Sequence, residues 1–175
     1  SSGRDVHIES GEASQNWSEA RHITNNGLVS STTVTTLDAT RDTRALASTF
    51  SGDSVEIQAG RDIGIRGSNV VSDRGTRLVA GNDVAIEAAS DTHSETHYAD
   101  KLKSGLFSSG GLSITYGEQQ TTQNAGSVST YAAASTVGST QGNVTIEAGK
   151  SYTQTGSGVL APQGNISIAA QRVDI

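Results

Sequence analysis

The sequence predicts an all-β chain wound as a parallel β-solenoid with two longer excursions, on three observations. The first is composition: 33% of the 175 residues are hydrophobic and 4% aromatic, beside 20 Gly, a single Pro and 17% charged residues. That is thin in the bulky side chains a compact globule buries and too weakly charged for a disordered tail, but it suits many short strands joined by tight turns. The second is a recurring phrase, and the third is its spacing.

The phrase runs Gly, a short polar turn, then branched apolar, any residue, Ile, any residue, small. It reads "GRDVHIES" from Gly3, "GDSVEIQA" from Gly52, "GRDIGIRG" from Gly60, "GNDVAIEA" from Gly81, "GNVTIEA" from Gly142 and "GNISIAA" from Gly164. Gly followed by Asp or Asn is expected to turn the chain, because Gly tolerates positive φ and the short polar side chain can bond its own backbone. The pairs Val6/Ile8, Val55/Ile57, Ile63/Ile65, Val84/Ile86, Val144/Ile146 and Ile166/Ile168 alternate at a period of two, the mark of half-buried strands. Two residues beyond each Ile stand Ser10, Ala59, Gly67, Ala88, Ala148 and Ala170, small enough for a tight inward corner where a larger side chain would overpack the interior.

Ile63 and Val84 are 21 residues apart (84 − 63), and Val144 and Ile166 are 22 apart (166 − 144), about one winding of a solenoid. Further strands are predicted in "SNVVS", "TRLVA" and "SGVLA". Each winding would hide its Val, Ile and Leu against the next, at the usual interstrand distance of ~4.8 Å. The whole of 1–175 reads as a single solenoid segment interrupted by hairpin-like excursions at about 11–50 and 90–138, with turns at "NNG" (25–27) and "SSGG" (108–111).

The sequence argues against several chemistries. A net charge of −6 disfavours a nucleic-acid partner, which needs concentrated Lys and Arg. The chain has no Cys, so disulfides and thiolate metal sites are excluded. No apolar run reaches membrane-spanning length, and "SSGRDVHIES" lacks a signal-peptide core, so in an exported protein this would be an internal fragment. Gly110-Gly111-Leu112 opens a strand pattern, whereas a phosphate loop needs Gly-Lys and a helix. In "DTHSETHYAD", Asp91, His93, Glu95 and His97 share one strand face; no motif fixes metal geometry there, and a solvated polar face is the simpler reading. Asp53, Asp62, Asp73 and Asp83 could be proposed as glycan-cleaving acids, but turn and surface roles explain them more simply. The Gly-x-Asp phrases invite comparison with calcium-binding β-rolls, but Ser54, Asn143 and Asn165 replace the Asp in other copies, and turn chemistry accounts for the slot. No nucleophile elbow accompanies the histidines, and the glycosylation-like triplets at Asn16, Asn143 and Asn165 read as coincidence. The expectation is a protein that is not an enzyme and carries no cofactor.

The stretch "IQAGRDIGIRGSNVVSDRGTRLVAGNDVAIEAASDTHSETH", with "KSGLFSSGGLSITYG" and "GSTQGNVTIEAGK", resembles the haemagglutinin repeats of two-partner-secretion exoproteins, the family of filamentous haemagglutinins and contact-dependent growth-inhibition toxins. The Lys103–Phe107 block with Gly110–Leu112 is most similar to the second repeat region of the growth-inhibition members. The resemblance implies a right-handed parallel β-helix within a long filament, exported through an outer-membrane transporter and displayed at the cell surface of a Gram-negative bacterium. It also implies a part in delivering a C-terminal toxin across the outer membrane of a target cell, or, as the alternative, a structural shaft or receptor-contact surface of an adhesin. Leu106, Phe107, Leu112, Ile114 and Tyr116, alternating on a Gly-rich strand, are the candidate residues for membrane or partner contact; an inward face packed on the solenoid would give the same pattern.

Overall fold

The computed structural model describes residues 3–108 and 114–175, the side chains of Phe107 and Ser108 excepted. All its regular elements are strands: β1 (Val6–Glu9), β2 (Gly11–Asn26), β3 (Ser30–Leu46), β4 (Thr49–Ala59), β5 (Ile63–Arg66), β6 (Asn69–Ala80), β7 (Val84–Glu87), β8 (Ala89–Ser108), β9 (Ile114–Ala133), β10 (Thr136–Ser139), β11 (Asn143–Ala148), β12 (Ser151–Thr155), β13 (Gly158–Leu160), β14 (Ile166–Ala169) and β15 (Arg172–Asp174). They form two compact units. One comprises Ser1–Ala13, Arg44–Asp91 and Thr130–Ile175, the other Ser14–Thr43 and Thr92–Ser129.

The first unit is a β-helix-like arrangement of two parallel sheets. One sheet has the order β1-β5-β7-β12-β15; in the other, β6 pairs with β4 on one side and with β10 and β11 on the other, which continue to β13 and β14. The spacing read from the sequence becomes register: Ile63 lies opposite Val84, and Val144 opposite Ile166. Side chains of like size therefore stack in columns. Ile8, Ile65 and Ile86 form one column, and Ile57, Leu78, Ile146 and Ile168 another. In the middle of the stack these residues are wholly buried, and burying an Ile or Leu contributes roughly 1.5–3 kcal/mol each. Ile166 is 46% exposed in the last winding, which has no neighbour on its far side among the described residues.

The six phrases divide between the two sheets. Those at Val6, Ile63 and Val84 stand in the first, those at Val55, Val144 and Ile166 in the second. Tyr152, from no phrase, takes the place opposite Val84 and is fully buried. Its hydroxyl donates to Gln154 Oε1 at 2.6 Å, and burial pushes its pKa up to about 12. "SNVVS", from Asn69 on, and "TRLVA", expected as separate strands, belong to the single strand β6.

Two expectations about the turns need correction. The glycines that open the phrases do not adopt positive φ; among the described residues only Gly67, Gly105 and Gly156 do. At Gly60, Gly81, Gly142 and Gly164 glycine is needed for close approach between windings instead, whereas Gly3 and Gly52 meet no such contact. A Cβ on Gly81 would lie 2.3 Å from the Gly60 carbonyl oxygen, and one on Gly149 would lie 2.0 Å from that of Gly81. The Asp or Asn that follows does not bond its own backbone but reaches the next winding. Asp62 Oδ1 accepts the Asp83 N–H at 3.2 Å, Asp83 Oδ1 accepts the Ser151 N–H at 3.0 Å, and Asn143 Oδ1 accepts the Asn165 N–H at 2.8 Å. A neutral amide does the work of the carboxylate, so this slot requires an acceptor oxygen and not a charge.

Buried hydroxyls serve the interior by satisfying backbone carbonyls. Thr76 Oγ1 donates to the Gly138 carbonyl at 2.7 Å, and Ser135 Oγ to that of Glu87 at 2.6 Å. No buried side-chain nitrogen or oxygen among the described residues lacks a partner. At the corner after the first sheet the chain turns at once at Gly67 and Gly156, whose φ values are 56° and 59°; after Ser10 and Ala88 it runs on into β2 and β8.

Two outcomes test this packing. Ile86→Ala should lower unfolding stability by about 2–5 kcal/mol in denaturant titration, and Gly81→Ala by about 1–3 kcal/mol through the clash with Gly60. At Asp83 the Ser151 hydroxyl, then its amide, hold the carboxyl below the usual range. Stability from this group is therefore present above its unfolded pKa and lost as pH falls through the depressed value. Asp83→Asn should remove that acid sensitivity with little loss of stability at neutral pH, whereas Asp83→Ala should lose stability at both.

Candidate contact surface

The second unit is built on one sheet, in the order β2-β3-β8-β9. β2 and β3 are joined by residues 27–29, with the Gly27 N–H donating to the Ser30 carbonyl at 2.8 Å, the turn expected at "NNG". β3 and β8 pair antiparallel from Ser30↔Gly105 to Thr43↔Thr92. The buried hydrophobic side chains of the described residues all belong to the first unit. Backbone pairing and polar contacts between facing side chains hold this sheet, in keeping with its Thr-rich strands.

Gly105 fixes the end of the sheet. Its φ of 127° and its place against β3 exclude a side chain, since a Cβ would lie 2.3 Å from the Val29 carbonyl oxygen. The next amide, of Leu106, donates to that same oxygen at 3.1 Å. Leu106 is therefore brought to the 27–29 turn. Leu28 is fully exposed and Val29, Ile114 and Tyr116 are largely so, Tyr116 at 81%; Leu106 is exposed by 44%. Among the described residues nothing buries Leu106, Ile114 and Tyr116 as an inward face packed on the solenoid, one of the two readings of their alternation, would require. Phe107 lies on β8 with its side chain outside the described residues, and Leu112 and the turn expected at 108–111 lie outside them in whole or in part. Lys101 and Lys103 stand behind the apolar end, opposite Val34 and Thr32. Leu28 and Val29 were not anticipated; two apolar residues directly after a tight turn, where nothing follows to bury them, were the available signal.

Farther along the same strand pair, the face read from "DTHSETHYAD" is completed by acids from β3. His93 stands opposite Asp42 and His97 opposite Asp38. His93 Nδ1 is 2.5 Å from Asp42 Oδ1, its Nε2 is 3.0 Å from Glu95 Oε1, and His97 Nδ1 is 2.8 Å from Asp38 Oδ1. Asp91 accepts the Ala45 N–H at 2.7 Å. Among the described residues no group of three or more acidic or imidazole side chains is placed to hold a metal ion. His93 meets carboxylates at both nitrogens, which suits a charged cross-strand tie and leaves no nitrogen to activate a hydroxyl. Its pKa is raised by Asp42 first and then Glu95; that of His97 is raised by Asp38.

The family model described as "Hemagglutinin repeat" matches residues 35–174. The chain is 37% identical over 175 residues to a tRNA nuclease CdiA of Escherichia coli strain STEC_O31, covering 98% of this chain and 5% of that protein. It is 35% identical over 175 residues to a 16S rRNA endonuclease CdiA of Enterobacter cloacae, covering 99% and 5% respectively. It is 36% identical over 160 residues to a tRNA nuclease CdiA-2 of Burkholderia pseudomallei strain 1026b, covering 87% and 5%. The chain thus spans about one-twentieth of the length of these relatives. No solved structure matches.

The raised histidine pKa values give the sheet a pH dependence of definite sign. The ties are fully made below the unfolded value of about 6.5 and are lost as pH rises through the higher folded values. Amide exchange of β3 and β8, corrected for intrinsic rates, should be slower at mildly acidic than at mildly alkaline pH. His93→Gln with His97→Gln should flatten the difference, while the first unit's core amides show no such trend.

Proposed function

The chain belongs to the haemagglutinin-repeat family of CdiA-type exoproteins, and from that premise we propose that it is a right-handed β-helical segment of a secreted cell-surface filament that contacts a target cell's outer membrane. The segment is continuous over 1–175 with its two excursions, carries no catalysis of its own, and reaches the surface through an outer-membrane transporter. In contact-dependent growth inhibition it aids the passage of a C-terminal toxin; the nuclease activities in the relatives' names belong to those proteins, and the match here is to the repeat.

One observation carries this reading: Leu28, Val29, Leu106, Ile114 and Tyr116 are exposed together at one end of a sheet that has no apolar interior of its own. Scattered apolar side chains are ordinary on a surface, but a cluster backed by Lys101 and Lys103 has the arrangement of a lipid-contacting rim, with apolar residues and Tyr foremost and ammonium groups at headgroup depth. With Phe107 and Leu112, these residues form the proposed contact. A shaft or receptor-binding role is the competing reading, favoured by the regular columns of the first unit, whose outer surface carries the ion-paired series Glu56, Arg77 and Glu147.

Vesicle flotation separates the two. The chain should float with vesicles made from outer-membrane lipid, and Leu106→Asp with Ile114→Asp should abolish flotation while leaving thermal unfolding of the first unit unchanged. A chain that stays at the bottom of the gradient in every lipid tested serves as shaft or receptor ligand.

A further inference from the structure

The two edges of the four-stranded sheet differ in kind. β2 carries Glu12, Glu19 and Arg21, whereas the twenty residues of β9 contain one charge, Glu118, and no proline. Its outer side has no strand partner among the described residues. Natural sheet edges are blunted by charge, proline, bulges or short length, because a bare row of N–H and C=O groups is a template for another strand. β9 uses almost nothing of the first two and is as long as any strand in the chain.

Its exposed side chains select the partner. Tyr116 is 81% exposed and Val128 73%, and they stand six residues either side of Thr122 (122 − 116 and 128 − 122). Thr122 and Gln120 both donate to Asp100 Oδ1, at 2.7 and 2.9 Å, so the even-numbered residues of this strand share one face. We propose that β9 pairs antiparallel with β9 of a second copy of this chain about a two-fold axis at Thr122. The two sheets then join as one, with Tyr116 of each copy opposite Val128 of the other.

In this register Gln120 faces Asn124, Thr122 faces itself, and Glu118 faces Gly126, which has no side chain to crowd the carboxylate. Aromatic with β-branched pairs and Thr pairs are the favourable facing combinations in antiparallel sheet. The two Glu118 carboxylates lie far apart, whereas parallel pairing of like strands would set them side by side. The contact is isologous and closes on itself, as a two-fold interface must. Of the residues proposed above to meet lipid it uses Tyr116 and, facing Thr130, Ile114; it is tested with no lipid present, so its failure is separable from failure of the membrane reading.

Sedimentation equilibrium of the whole chain over a dilution series is the test. The unaltered chain should dimerise. Tyr116→Lys and Val128→Glu, each alone, should raise the dimer dissociation constant roughly tenfold. An equimolar mixture of the two variants should recover dimer, since the introduced ammonium of one then faces the introduced carboxylate of the other and the second Tyr116–Val128 pair is intact; a variant that failed to fold could not recover. A chain that stays monomeric at its highest soluble concentration overturns the proposal. So does association that neither substitution weakens, which would belong to the open ends of the first unit, or the absence of recovery in the mixture.

Discussion

The first unit depends on how closely one winding lies on the next. Parallel main-chain pairing sets the distance, and at the turns it brings backbone so near to backbone that no Cβ fits: the series Gly60, Gly81, Gly149 and the pair Gly142, Gly164 occupy the places where one would collide with the carbonyl of the winding before. The other features follow. The Asp or Asn after each glycine is then within reach of an amide one winding on. The Val and Ile columns meet, and a chain poor in large side chains still buries a continuous interior.

The second unit has no such interior. It is held by main-chain hydrogen bonds and facing polar groups, so its cohesion is spread over many weak contacts, and its energetics respond to pH in the opposite sense to those of Asp83. One chain thus combines a segment whose order rests on excluded water with one whose order rests on paired polar atoms. Among the described residues the latter's sheet holds no buried apolar side chain, while its apolar end is exposed.

Much of the ladder was legible in the sequence. A period of two in Val-x-Ile and a repeat of 21 or 22 residues dictate which residues face each other, and Ile63 with Val84, and Val144 with Ile166, do so. The division of the phrases between two sheets was less legible, because Val55 and Ile63 carry the same pattern only eight residues apart (63 − 55) and pattern alone does not report the bend between them. Tyr152 was missed because size and hydroxyl disguise a residue that packs as Val does. The glycines were recognised for the wrong reason: a turn and a close approach leave the same letter in the sequence, and only geometry tells them apart. At the candidate surface, alternation located Leu106, Ile114 and Tyr116, but it carries no information on what lies against a strand, so exposure had to be seen.

The ladder resumes after long interruptions as though none had occurred. Tyr152 takes its place opposite Val84 across 68 residues of chain (152 − 84), and Ile63 opposite Val6 across 57 (63 − 6), where 21 suffice from Ile63 to Val84. Both interruptions begin at equivalent corner positions, after Glu9 and Glu87. A scaffold of this kind is indifferent to what is spliced in at that corner, provided the two cut ends come back one strand spacing apart. Segments inserted there could therefore be exchanged, lengthened or deleted during evolution with no change to the residues that hold the windings together.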